Sequence, residues 1–318
     1  MSTTPQTIAL AGTGDLAKHI CTALLASPSF TPIVLSRSSS TQPTPQTTWF
    51  STHQIPIHKT DYSVPSLLDI LNTTKATTLI SLINDPTPTY TTTHTALLTA
   101  CQRSTACKRL IPSEYIGDTE THPLKPPFYA RSRAPFRHVL RLQTEIEWTL
   151  FNVGWLMDYF LPAAKTHMRP AAGVFPIDLG SWTALVRGSG EEVQSWTCGR
   201  DVGRAVVALC GAGAGQWESH TYVAAEWSTF NSAIKVLEKH YGRPMAVTYR
   251  SWESIQQTLA ESEDPEALEV AQIEEMMVMG CLACPREKTL RQREKFFPEV
   301  GFLGLEELLA YADGVDFV

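Results

Sequence analysis

A chain of 318 residues that is 43% hydrophobic and 18% charged has ordinary globular composition and is long enough for one large domain or two linked ones. Its formal charge of −6 is spread over interspersed acids and bases, so the basic blocks that a nucleic-acid backbone requires are missing. Apolar runs such as residues 204–210 fall well short of a bilayer span, and the first residues lack the basic and long apolar stretches of a secretory signal.

In chain order, residues 7–11 read as a buried strand and 16–26 as a helix with apolar residues at helical spacing. Residues 32–36 form a second strand, and the Ser/Thr/Pro/Gln-rich stretch 38–48 is expected to be a loop. A third strand over 53–58, a helix over 64–72, a fourth strand over 77–83, a helix over 91–101 and a fifth strand from Arg109 continue the rhythm. Strands alternating with helices of this length predict βαβ units and a parallel, doubly wound α/β sheet of Rossmann type. After about residue 150 the rhythm changes. Helices over 201–210, 229–241, 254–263, 265–280 and 305–312 predict a smaller, helix-rich C-terminal domain. The expected organisation is a nucleotide-binding domain over 1–152 and a substrate-binding domain over 153–318, with the chain able to cross back to the sheet.

Gly12, Gly14 and Ala17 form a Gly-x-Gly-x-x-Ala run between the first strand and the first helix. The first glycine permits a tight turn, the second a close backbone approach to a pyrophosphate, and the small third residue close helix–strand packing. Backbone groups of Gly12, Thr13, Gly14, Asp15 and Leu16 are therefore candidate cofactor contacts. A cofactor lacking a 2′-phosphate is usually held by an acid about 20 residues further on. Here the chain carries Arg37, followed by Ser38, and an arginine flanked by hydroxyls suits a 2′-phosphate through charge-assisted hydrogen bonds. The expected cofactor is NADP(H).

These motifs, together with residues 60–63, Arg109 to Asp118 (which contains Pro112, Ser113 and Glu114), residues 154–162 and Asp201 to Ala208, follow one another in the order found in the NmrA-like and isoflavone reductase-like family of atypical short-chain dehydrogenases, which the chain resembles. The resemblance implies a Rossmann domain with a smaller C-terminal domain, and a nicotinamide near residues 113–115 and 152–156. Asn84, Ser113 and Gly154 join the cofactor set on that basis. It also implies hydride transfer to a small, often aromatic or polycyclic, secondary metabolite, although other members bind the dinucleotide as sensors without turnover.

Family reductases place a lysine shortly after the Pro-Ser-Glu motif, in a Phe-x-x-Lys segment, where it holds the nicotinamide ribose and assists proton transfer. The matching residue here is Arg131, which keeps the charge but cannot act as an acid or base near neutrality. Three readings stay open. The protein is a reductase whose proton comes from elsewhere, with Tyr129, Asp158, Tyr115, Tyr159 and His167 as candidates. Alternatively, it binds NADP while catalysing a non-redox rearrangement, cyclisation or isomerisation in which Arg131 stabilises developing negative charge. In the third reading it is an NADP-sensing protein. Catalytic candidates are thus Arg131, Tyr129 and Asp158.

The remaining features have structural readings. Seven cysteines at irregular spacing predict a reduced, cytoplasmic protein without a disulfide framework, and Cys281 and Cys284 lack further zinc ligands at suitable spacing. His53, His58, His94 and His122 show no metal-ligand spacing, so no metal is expected. Met276, Met277 and Met279 read as core or pocket filling, and the eight tryptophans suit either core packing or an aromatic substrate. A small-molecule partner and a monomer or homodimer are expected.

Overall fold

The apolar run that opens the chain becomes β1 (Gln6–Ala11), followed by α1 (Asp15–Leu25), β2 (Phe30–Ser36), α2 (Pro45–Thr52), β3 (Ile57–Lys59), α3 (Val64–Thr74), β4 (Ala76–Ser81), α4 (Thr89–Arg103), β5 (Arg109–Ile111), α5 (Arg133–Leu142), β6 (Glu147–Trp148), β7 (Leu150–Asn152) and, later, α6 (Gly199–Gly211). The structure is a computed structural model that describes residues 4–37, 45–171 and 173–318. By their contacts the residues fall into two units: Met1–Glu114, Tyr129–Phe151 and Gly203–Thr221 form the first, and Tyr115–Phe128, Asn152–Val202 and Tyr222–Val318 the second.

In the first unit six strands pair in the order β3-β2-β1-β4-β5-β6, every pair parallel. Ile8 to Ala11, Val34, Leu35, Leu79, Ile80, Leu110 and Ile111 are fully buried. A strand covered on both faces needs a continuous apolar run and cannot alternate, which explains why these segments are legible in the sequence. This is a Rossmann-type α/β sheet. One local expectation fails. Residues 45–48 are helical, since α2 starts at Pro45, and the third strand is confined to three residues after it. Proline fits a first helical turn, where its missing N–H has no partner to lose. Residues 38–44 lie outside the described residues.

β12 (His220–Tyr222) is divided between the two units; the second unit contains β8 (Trp155–Leu156), β9 (Ile177–Asp178), β10 (Thr183–Arg187), β11 (Gln194–Thr197), β13 (Glu226–Ser228) and β14 (Ala246–Arg250), and the helices α7 (Phe230–Tyr241), α8 (Trp252–Glu261), α9 (Pro265–Val278), α10 (Arg286–Phe296) and α11 (Leu305–Asp313). The helix starts are written in the sequence. Thr229, Ser251 and Asp264 each accept a first-turn N–H with their side chain, and Gly242 ends α7 at φ +67°. Two three-stranded sheets, β14-β10-β9 and β13-β11-β8, add to the expected helices. Their strands run two to five residues, too short for a period-two pattern to register. The core of this unit gathers around Trp196, with Phe160 and Phe230 edge-on to it at 5.3 and 5.0 Å.

Candidate cofactor and catalytic site

The carboxyl end of β1 turns through Gly12 at φ +118°, a conformation open to glycine and strained for other residues. The Gly12 N–H donates to Leu35 O at 3.1 Å, and a Cβ at Gly12 would sit 3.4 Å from the Leu82 backbone. Gly14 then caps α1 without any side-chain bond to the first-turn N–H groups, and a Cβ on it would meet nothing within 4 Å. Ala17 is fully buried, as close packing of α1 requires. The first turn of α1 therefore opens onto free space at the carboxyl ends of β1 and β4, where the strand order reverses. Unpaired N–H groups and the helix dipole favour an anion at such a place. Asp15, the one acid in this turn, is offset by Lys18 at 3.5 Å. A dinucleotide pyrophosphate fits this cradle.

Just past β2 the Arg37 guanidinium lies 5.1 Å from the centroid of the Tyr62 ring. Tyr62 is itself fixed. It is buried, holds φ +60°, and donates its hydroxyl to Leu35 O at 2.9 Å, while its N–H donates to Thr60 Oγ1 at 2.9 Å. Burial pushes the Tyr62 phenol up to about 12, so it stays protonated as that bond requires. Arg37 is thus an exposed cation on a rigid aromatic platform, and residues 35–40 contain no acid. Ser38 lies outside the described residues.

A second concentration of charge sits where β4 and β5 end. Glu114 is buried and receives Arg137 on both oxygens, Nε at 2.9 Å and Nη2 at 2.6 Å. Arg133, also buried, places its Nε 3.8 Å from Glu114, donates Nη2 to Asn84 Oδ1 at 2.5 Å, and lies over the rings of Tyr129 (4.0 Å) and Tyr90 (4.6 Å). The Arg137 cation holds the Glu114 carboxyl below the usual carboxylate range against the opposing effect of burial. Burial raises the phenols of Tyr129 and Tyr90, so both carry their protons at neutral pH. Tyr90 donates to Ser113 O at 2.9 Å. His94 stacks on Tyr90 with centroids 3.7 Å apart, and its Nδ1 faces the Tyr90 carbonyl at 2.9 Å while Nε2 faces Ser81 Oγ at 2.9 Å. A carbonyl only accepts, so the proton belongs on Nδ1, and burial lowers this imidazole to about 4. Two guanidinium groups share one carboxylate here, which leaves one positive charge in excess among side chains that are 2% exposed or less. Such an excess favours negative charge, resident or developing, next to it.

No family model matches the chain. It is 32% identical over 306 residues to the protein named oxidoreductase swnR of Arthroderma benhamiae, a match covering 96% of this chain and 97% of the relative, and equally to that of Metarhizium robertsii. The chain belongs to the NmrA-like, isoflavone reductase-like family of oxidoreductases. Solved proteins of lower sequence identity share its fold. An isoflavone reductase superposes with a TM-score of 0.72 over 97% of this chain and 99% of its own at 19% identity. The leucoanthocyanidin reductase–NADPH complex from Vitis vinifera gives 0.71 (97% and 100%, 16% identity), and AtPrR2 with NADP+ and (+)-pinoresinol gives 0.75 (98% and 100%, 15% identity).

Arg131 is exposed in the turn before α5 and reaches none of the groups described above, whereas Arg133, the first residue of α5, is the buried cation beside Asn84. The signal lay in the spacing of Arg133, Phe136, Arg137 and Leu140, which puts all four on one buried face. Two arginines on that face disguise it as a solvated one. Asp158 Oδ1 accepts from Thr166 Oγ1 at 2.8 Å and its Oδ2 from the Gly199 N–H at 2.6 Å, which ties it to the start of α6. Tyr159 packs against Trp155 and Phe175, and the His167 ring contacts Phe317. Gly154 is required by packing, because a Cβ at its φ of +66° would lie 2.2 Å from Ser195 Oγ. Asp201 accepts the Leu303 N–H at 2.8 Å, and Gly203 lets α6 approach His19 of α1. Both thiols of Cys281 and Cys284 are buried, with Cys284 raised to about 12 by burial. Met276 and Met277 fill the core, and Met279 is exposed.

Proposed function

We propose that this protein is an NADP(H)-dependent reductase of a small aromatic or polycyclic metabolite, acting as a cytoplasmic enzyme of secondary metabolism. The observation that carries this reading is Arg37, presented by Tyr62 at the end of β2 where an acid would reject a 2′-phosphate. Backbone N–H groups from Gly12 to Leu16 would hold the pyrophosphate, Arg37 the 2′-phosphate, and Asn84, Ser113 and Arg133 the nicotinamide end. NADPH, when bound, supplies hydride. The NADPH complex of leucoanthocyanidin reductase and the NADP+ complex of AtPrR2 support this choice of cofactor, and the pinoresinol in the latter supports an aromatic substrate.

Within the chain, Arg133 carries a permanent charge pinned by Asn84 and Glu114, so it stabilises negative charge on a reacting oxygen without giving up a proton. Tyr129 retains its proton on Oη through burial and lies against Arg133, which makes it the proton donor of this reading. Because Arg133 cannot shuttle a proton, a non-redox rearrangement with bound NADP is the second reading. The two separate on whether NADPH is consumed. Titration of NADPH and NADH into wild type and Arg37→Ala should show NADPH losing at least tenfold and NADH little. Equal losses would remove the cofactor assignment, and product formation with no fall in NADPH absorbance would decide for the rearrangement.

A further inference from the structure

The second unit contains a cavity of about 500 Å³ that the cofactor chemistry does not use. That volume lies in the range of small-molecule sites. Its walls are largely apolar, with Leu161, Phe175, Ile177, Leu179, Trp182 and Tyr241 among the lining side chains. Trp182 stands at φ +56°, a left-handed backbone conformation that a bulky residue rarely holds and that persists only when its surroundings impose it. Here the indole N–H donates to Pro244 O at 2.9 Å, tying the loop that precedes β10 to the loop that follows α7. From that second loop Arg243 lies over the Trp182 ring at 4.2 Å.

The charges around the cavity are unequal in their availability. Asp158 has both oxygens occupied by Thr166 and the Gly199 N–H. Asp178 receives the Gly180 N–H at 2.8 Å, the Ser181 N–H at 3.4 Å and the Ser181 hydroxyl at 2.7 Å. Each carboxylate is therefore satisfied by its own surroundings. Arg243 is exposed, with its guanidinium carbon 4.2 Å from the centroid of the Trp182 ring, and among the described residues it has no carboxylate partner. A planar, always-charged fork beside an apolar chamber walled by indole and phenyl rings matches one chemical class.

We infer that this cavity binds a flat aromatic ring bearing a carboxylate, the ring seated among Trp182, Phe175 and Tyr241 and the carboxylate held by Arg243. The inference does not rest on the reductase reading, and a binding measurement tests it without turnover.

Isothermal titration of the full chain with 2-naphthoate and with its neutral counterpart 2-naphthylmethanol should show the acid binding at least tenfold tighter at neutral pH. Arg243→Met, which keeps the apolar stem over Trp182, should bring the two probes to equal affinity, and Arg243→Lys should restore part of the difference. Trp182→Phe should weaken both probes alike. Arg243 is exposed, so its variants should melt within a degree or two of wild type, and a circular-dichroism melt run in parallel checks that. Equal binding of the two probes to wild type, a preference that survives Arg243→Met, or binding of neither probe at millimolar concentration would overturn the inference.

Discussion

Two buried clusters in this protein have the same composition and different consequences. Each sets two guanidinium groups on one glutamate: Arg133 and Arg137 on Glu114 in the first unit, Arg187 and Arg250 on Glu274 in the second. In the second cluster the extra positive charge is dispersed. Arg187 donates to Leu185 O and Gly173 O at 2.6 and 2.9 Å, and Arg250, one quarter exposed, donates to Thr258 and reaches water. In the first cluster Arg133 also meets oxygens, Asn84 Oδ1 at 2.5 Å and Asp85 O at 3.5 Å, but both arginines are at most 2% exposed and lie against aromatic rings. Ring faces attract a cation but do not replace its hydration. A two-to-one ion cluster sheds its excess charge where one arginine reaches water, as Arg250 does, and keeps that charge concentrated where both arginines are buried.

The largest expected effect tests that difference directly. Glu114→Gln strands two buried cations and should cost about 3–5 kcal/mol of stability, whereas Glu274→Gln should cost roughly half as much, because Arg250 can turn to water. Urea midpoints for both variants check this, and equal losses would break the comparison. A pH effect comes next. His94, packed on the first cluster, falls from 6.5 unfolded to about 4 folded. A depressed imidazole binds its proton more readily in the unfolded chain, so its stabilisation is complete above about pH 6.5 and is lost as pH falls toward 4. The shift corresponds to about 3 kcal/mol at 1.36 kcal/mol per pH unit. His94→Gln should flatten that decline in a series of urea melts, and an unchanged slope would assign the acid sensitivity to other groups. Third, Arg133→Met should lower turnover about a hundredfold, the usual scale for one lost oxyanion donor, with Arg133→Lys recovering much of it. Arg187→Met should lower the melting temperature and leave kcat within about twofold. Similar kcat losses in both would remove the functional distinction between the clusters.

The two ends of the first unit were not equally legible. Gly12, Gly14 and Ala17 announce themselves because a tight turn, a close approach and close packing are local demands that only particular residues meet. The strands of the central sheet read clearly for a related reason, since burial on both faces leaves a continuous apolar run. Arg133 was hidden by the opposite circumstance. A helix whose buried face carries Arg133 and Arg137 looks polar to any reading of periodicity, and the compensating Glu114 lies 19 residues earlier in the chain. The family's Phe-x-x-Lys segment falls on Arg131, which is exposed and two residues away. The hydrogen bonds of Asp158 are equally hidden, because its partners Thr166 and Gly199 come from separate segments. The short strands of the second unit were invisible since pairing, which no local pattern encodes, makes them strands.

Tyr62 belongs to the same class of hidden residue, and it supplies the smallest effect. The sequence offers Arg37 as a candidate for holding a 2′-phosphate but does not show what would order a long, exposed side chain. The structure gives the reason: the Tyr62 ring beneath the guanidinium and the Tyr62 hydroxyl bonded to Leu35, two residues before Arg37. A platform of this kind contributes about 0.5–2 kcal/mol through the cation–π contact, depending on how far it is desolvated. Tyr62→Ala should therefore weaken NADPH roughly tenfold, about 1.4 kcal/mol, and leave NADH nearly unaffected, because only the 2′-phosphate depends on Arg37. Tyr62→Phe keeps the ring and should retain most of the NADPH preference. Were Tyr62→Ala to weaken both cofactors equally, Tyr62 would be supporting the end of β2 as a whole, and the specificity would reside in Arg37 without a platform.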